Sequence, residues 1–441
     1  MYSWLSDALQ DDATVITANR RLARTLRQQY NEQQISAGRK AWASPDIHSW
    51  QDWLTQLLRG ASVQDSLPTL ISAHQSQVLW ERCLQKDLQH IPTGLSRLVR
   101  LSRDAWQRLI DWRVPIRDVA RTAQTDDQRL FATVAGRYLG ILEREHWVDD
   151  AGLGSVVLDL LAKKQASSSR RITFAGFERS RPIVDAIKAV LADNGVAVGT
   201  APVRDLAQRV TLQSFDDGDA ELRAAGRWSR QQLARDPGHR VAIVASGLEQ
   251  DAARKTRLVR EGLVPGWQHA SPAHREAVNV SYGQSLAEYP AVSIALLLLR
   301  WLVRDLSSSE VSQLLRSPLI ADVDTCGRSR LELRIRRLPD RRWSPAMLTS
   351  LFRGRDKSEP AGVWLELVRN LSRVRREVPA RLSPAEWAIY IDDVLKAASW
   401  PGQTTLDSVD FQLINRWRDL LNDFARLDLV SRSMDFGAVL G

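Results

Sequence analysis

The chain has 441 residues, 44% hydrophobic and 26% charged, with a net charge of +9, a pI near 9.9 and a mean hydropathy of −0.29. That length and balance exclude a disordered chain and a small stapled scaffold, and they predict two or more domains, each with its own core. The two cysteines, Cys83 and Cys326, stand far apart without a CxxC or Cys/His cluster, which excludes a disulfide framework and a thiolate metal site.

Of the 61 basic residues only eight are lysine. The planar fork of arginine matches phosphate oxygens, so the composition suits a polyanion binder, and it equally suits a GC-rich genome. The 16 tryptophans could stack unpaired bases, although most sit at helical spacing with leucine and read as core. At the start, MYSWLSDALQDD has no basic region and meets acids at once, so neither a secretory signal nor a transit peptide is visible and a cytoplasmic protein is expected.

In chain order, DATVITAN gives a short β-branched strand over residues 13–17, then Asn19 as N-cap and a helix over 20–35 closed by Gly38. PDIHSW offers a second short strand, and Ser49 caps a helix whose Trp50, Trp53, Leu54, Leu57 and Leu58 share one face. Between residues 72 and 161 only helical periodicity is found, with no convincing strand. Strand character resumes in RITFAG, residues 171–175, followed by a helix over 181–192 and a strand near 196–198. The alternation predicts an α/β fold with a parallel sheet interrupted by a helical block.

A second round begins after Pro202. RVTLQSF is read as a strand, 219–233 as a helix, RVAIVAS as a strand and 250–262 as a helix. Beyond residue 288 the pattern is again helical. Its longest apolar run, residues 291–299, is bounded by Arg300 and Arg304 and is too short for a membrane span, so it reads as a buried helix and no membrane association is expected. The chain ends within FGAVLG without a closing element, which suggests a fragment of a longer product.

This order of elements resembles the 1A, 1B, 2A and 2B layout of superfamily 1 helicases. Within that layout VITANRRLARTLRQQY, PDIHSWQDWL, RITFAGFERSRPIVDAIKAVLADNGVAV, FDDGDAELRAAGRWSRQQLARDPGHRVAIVAS, SYGQSLAEYPAV and LLRSPLI resemble segments of the AddB and RecC group and of related DNA repair proteins with a C-terminal PD-(D/E)XK nuclease. The resemblance implies two RecA-like, P-loop NTPase-like parallel-sheet domains. Residues 1–70 with 166–202 would form the first, with 71–165 as its helical insertion. Residues 203–287 would form the second, incomplete here, with 288–441 as its helical insertion.

The motor chemistry is absent from these positions. A phosphate loop needs GxxxxGK[ST], whose glycine amides cradle phosphates while the lysine and hydroxyl serve the terminal phosphates and magnesium. After the first strand this chain has TANRRLARTL, and no GK[ST] occurs anywhere. The acidic pair expected after the 171–175 strand is replaced by Gly176, Phe177 and the lone Glu178, which reads as a solvated loop residue. No catalytic residue, metal or cofactor is therefore assigned.

What remains is a surface for DNA. Asn19, Arg20, Arg21 and Arg24 lie where a helix N-terminus and guanidinium groups could meet phosphates, or they form an N-cap with a solvated basic face. His48 and Ser49, with Trp50, fall where a helicase motif touches the strand backbone, although Trp50 reads better as core. The row Arg254, Lys255, Arg257 and Arg260 reads as a soluble helix face, and Asp392, Asp393 and Lys396 as solvent-facing on a helix rather than as a nuclease site. The resemblance thus implies an inactive motor that guides single-stranded DNA beside an active superfamily 1 helicase in double-strand break repair. The alternatives are an active ATP-dependent helicase or exonuclease component, and a protein-interaction scaffold without DNA affinity.

Overall fold

A computed structural model describes residues 2–62, 67–87, 94–179, 181–202, 210–238, 240–248, 251–271, 277–281, 285–320, 325–339, 341–351, 362–402 and 407–440. Helix α1 (Ser3–Gln10) leads into β1 (Thr14–Thr17), whose four β-branched residues are all buried, as a strand covered on both faces requires. Helix α2 (Arg20–Ser36) begins where the Asn19 side chain accepts from the Leu22 N–H at 2.9 Å. β2 (Ile47–Ser49) passes directly into α3 (Trp50–Arg59), capped by Ser49.

Next come β3 (Thr69–Leu70), α4 (Ala73–Gln85), α5 (Leu95–Asp111), α6 (Ile116–Thr122), α7 (Asp126–Glu145), β4 (Trp147–Val148) and α8 (Leu153–Ala162). The helical reading of this stretch holds with one difference. β4 pairs in parallel with β3, a two-residue ladder too short to register as alternation. β5 (Arg171–Ala175), α9 (Pro182–Asp193) and β6 (Ala197–Thr200) then complete a four-stranded parallel sheet in the order β2-β1-β5-β6.

Two apolar layers sandwich that sheet. Leu5, Ala23 and Leu26 of α1 and α2 pack with Val15, Ile47 and Ala175 on one face. On the other, Trp50, Trp53 and Leu54 of α3 pack with Ile16, Phe174, and residues of α8 and α9. Trp50 is therefore core, 7% exposed. The remaining helices of this block form a separate core around Trp80, Trp106, Val134 and Tyr138.

The second α/β round departs from expectation. α10 (Gly218–Arg235) and α11 (Ala252–Leu263) form where the periodicity predicts them. The strands expected at 209–215 and 240–246 do not form among the described residues, and a second parallel sheet is absent there. Val210, Leu212 and Val244 are 84%, 96% and 97% exposed. β-Branched residues favour a strand only against cross-strand and face-packing neighbours, and no described strand supplies them. Residues 282–284, within the SYGQSLAEYPAV segment, lie outside the described residues.

The rest is helical: α12 (Pro290–Val303), β7 (Leu306–Ser307), α13 (Ser308–Arg316), α14 (Thr325–Arg336), β8 (Arg342–Trp343), α15 (Pro345–Leu351), α16 (Gly362–Arg376), α17 (Pro384–Ala397), α18 (Ser408–Ala425) and α19 (Phe436–Leu440). The apolar run at 291–299 becomes the central helix α12 of this core, and the Trp301 indole donates to the Trp343 carbonyl at 2.8 Å. Among the described residues no helix is long and apolar enough to cross a membrane.

A short turn, Arg426–Leu429, ties the two helical blocks together. Leu427 and Val430 bury in the Trp80 core, and the buried Gln75 amide donates to the Arg426 carbonyl at 2.7 Å. On its other side the Asp428 carboxylate accepts from the Ala385 N–H at 3.0 Å.

Candidate nucleic-acid interface

From β1 the chain moves outward to β2 on one side, while β5 and β6 add on the other. The order therefore reverses between β1 and β5, and the crevice outside the carboxyl ends of these strands is the usual ligand site of an open α/β sheet. A cleft of about 310 Å³ lies there. It is lined by Ala18, Asn19 and Arg20 after β1, by Ser49 and Gln51 after β2, and by Arg181 before α9, with Gln107, Asp111 and Asp150 closing it from the helical block.

The cleft has no phosphate cradle. Only Ala18 and Asn19 separate β1 from α2, so the connection is too short to wrap a phosphate, and the Asn19 carboxamide already occupies the Leu22 N–H. The Thr17 hydroxyl donates to the Asn19 carbonyl at 2.9 Å, tightening the turn further. After β5, Gly176 takes φ +78° and a Cβ there would lie 2.7 Å from the Leu22 side chain, so this glycine serves backbone geometry. Glu178 is exposed and lines none of the clefts described here, as a solvated loop residue should. Among the described residues no group of three or more His, Cys, Asp or Glu is arranged to hold a metal.

The expected site residues divide. Asn19, Arg20 and Ser49 meet in the cleft, Ser49 buried and committed as the α3 cap, where it accepts from the Asp52 N–H and donates to the Asp52 carboxylate at 2.7 Å. Arg20 pairs with Asp52 at 2.9 Å. Burial pushes the Asp52 carboxyl up, but hydrogen bonds from Ser49 and Arg20 and the charges of Arg20 and Arg27 outweigh it and hold Asp52 below the usual carboxylate range. Arg21 points away and donates to the Ser281 carbonyl at 2.8 Å. Arg24 lies with Arg20 in an adjoining groove.

His48 is not part of this surface. Its ring contacts the Asp46 carboxylate at 2.6 Å and the Gln56 amide at 3.3 Å, in a separate cleft with Thr14 and Ser169 at the amino ends of the strands. Alternation along β2 puts Ile47 and Ser49 on one side and His48 on the other.

Sequence reading missed Arg27, Arg181, Gln107 and Asp111. Arg27 was within reach, because it follows Arg20 and Arg24 at helical spacing. Arg181 was not, since its position opposite Asp111, 3.5 Å away, depends on how α5 packs against α9. The row Arg254, Lys255, Arg257 and Arg260 is consumed internally. Arg254 pairs with Asp219, Lys255 donates to the Ser246 and Gly247 carbonyls, Arg257 pairs with Glu261, and Arg260 lies over the Trp267 ring. Asp392 pairs with Lys396 across one turn of α17, so these residues make a local helix contact.

Gln107, Asp150 and Ala151 are shared with a second cavity of about 220 Å³ in the helical block. At its wall the Asp149 carboxylate, 3% exposed, accepts from the Gly152 N–H at 2.8 Å and from the Tyr138 hydroxyl and Trp106 indole at 3.0 Å. Burial pushes this carboxyl above its ordinary value against those three donors. A carboxyl raised in the fold favours folding most when protonated, below its unfolded value near 4, and that contribution is lost as pH rises through the folded value. Asp149→Asn stays neutral, so its stability relative to the parent should increase from about pH 4 upward. Urea denaturation at several pH values checks this, and a stability difference independent of pH would contradict it.

The chain matches no protein-family model and no curated protein sequence.

Proposed function

We propose that this chain binds single-stranded DNA as a helicase-like body that does not hydrolyse ATP, guiding a strand beside an active superfamily 1 helicase during recombinational repair of double-strand breaks in the cytoplasm. The observation that carries the reading is the carboxyl edge of the sheet. Where a motor cradles nucleotide phosphates, β1 passes in two residues into an asparagine-capped helix that presents Arg20 and, one turn on, Arg24. Such an edge cannot enclose a triphosphate, yet it offers guanidinium groups and a helix N-terminus to a backbone phosphate. The reading takes the four-stranded sheet as the first of two RecA-like units and residues 203–287 as part of the second.

Fluorescence anisotropy with a labelled oligo-dT 20-mer tests it. The expected result is binding whose affinity falls steeply with salt, each neutralised phosphate adding about −0.7 to the slope. Absence of binding at low salt would remove the DNA assignment and favour a protein-interaction scaffold, which the exposed apolar segment around Val210 and Leu212 also suits. Saturable binding of labelled ATP at micromolar concentration would overturn the inactive-motor half of the proposal.

A further inference from the structure

We propose that the strand is gripped along the outer face of α2, its phosphates on Arg20, Arg24 and Arg27 and one base stacked on Trp42. This rests on the single-strand reading above and names its footprint. A groove of about 370 Å³ runs beside the edge strand β2, lined by Arg20, Ala23, Arg24, Arg27, Asn31 and Asp52 among others. At 1.5 Å rise per residue the three arginines succeed one another by roughly 6 and 4.5 Å along the helix, a step comparable with neighbouring phosphates of an extended strand.

Three features set this row apart from an ordinary solvated helix face. First, α2 carries Arg20 and Arg21 and no acid in its first turn, where the helix dipole disfavours cations. A phosphate bound there reverses the sign of that cost. Second, the row is short of anions: Asp52 is the one acid in the groove and is held by Arg20, while Arg24 has no partner among the described residues. Arg27 gives one N–H to the Ile47 carbonyl and keeps the rest of its fork. Glu32, one turn beyond, is engaged with Gln28 and Arg240. In the basic row of α11, by contrast, Arg254 and Arg257 pair with acids of the protein, Lys255 donates to backbone carbonyls and Arg260 covers a tryptophan ring. Third, Asn31 at the end of the groove holds an aromatic ring beside it. Asn31 Oδ1 accepts from the Trp42 indole N–H at 2.9 Å, which pins a half-buried tryptophan at the end of the cation row. Phosphate contacts followed by a base on an aromatic face are how single strands are bound without sequence preference.

The anisotropy measurement, repeated on variants of the full chain with fold checked by circular dichroism, tests this footprint. Arg24→Ala and Arg27→Ala should each reduce the salt slope by about 0.7. Trp42→Ala should weaken binding roughly tenfold with the slope unchanged, and Trp42→Phe should retain most of the affinity because it keeps a ring. Arg21→Ala, whose parent side chain turns away from the groove to the Ser281 carbonyl, should leave both quantities as they are. If the parent protein binds but the Arg24 and Arg27 variants keep its slope, or Trp42→Ala keeps its affinity, the footprint is wrong while the single-strand reading stands. If the parent does not bind, both are removed.

Discussion

Gly226→Ala is expected to break the packing of α10 on α11. A Cβ at Gly226 would sit 2.1 Å from the Val259 carbonyl oxygen, and one at Gly262 would sit 2.1 Å from the Arg223 carbonyl oxygen. The two glycines face each other's helix backbone, so neither clash can be relieved by turning a side chain. Alanine gains at most about 1 kcal/mol of helix propensity over glycine. Overpacking costs about 1–3 kcal/mol or more, so the clash decides the sign. Gly140→Ala on α7, where nothing lies within 4 Å of the new methyl, isolates the propensity effect and should stabilise by roughly 0.5–1 kcal/mol. Urea denaturation followed by circular dichroism should move in opposite directions for the two substitutions. A Gly226→Ala variant as stable as the parent would show that the helices do not cross at these glycines.

Trp80→Ala should be the most damaging single change in the first helical block, at about 3–5 kcal/mol. Trp80 is fully buried, stacks on Tyr138 at 4.4 Å and on Phe131 at 6.3 Å, and meets Trp106 edge-on at 6.2 Å. Truncation would leave a cavity that rigid aromatic neighbours cannot close, and Tyr138 and Trp106 are two of the three donors to Asp149. The same core receives Leu427 and Val430, so the tie between the helical blocks should loosen as well. Trp80→Phe should cost much less, because the indole N–H has no hydrogen-bond partner among the described residues and most of the ring volume remains. Guanidinium denaturation measures the stability loss, and faster proteolysis near residues 426–430 in the alanine variant alone would report the loosened tie.

Local chemistry made much of the first α/β unit legible. A fully β-branched TVIT flanked by Asn19, and an apolar face at Trp50, Trp53, Leu54 and Leu57, fix a strand, a cap and two helices by propensity and periodicity alone. The missing phosphate loop was equally plain, since a cradle needs particular residues in one short segment. The arginine row of α2 was half legible: Arg20 and Arg24 were read and Arg27 was passed over, although all three follow from helical spacing.

Other features depend on distant parts of the chain. RVTLQSF and RVAIVAS have strand composition, yet their described residues stay unpaired, because a strand exists only when a neighbour takes up its backbone hydrogen bonds. His48 and Ser49 are adjacent in sequence and face different clefts, a separation imposed by the pleat of β2. Asp52 holding Arg20, Arg181 facing Asp111 and the Asn31–Trp42 bond join residues that no periodicity connects. The sequence by itself determined most of the helices, the strands of the four-stranded sheet, the absent phosphate-loop motif and the excess of arginine. Tertiary packing decided which arginines are neutralised and which stay open to an anion, because an ion pair is settled by distance in the folded chain.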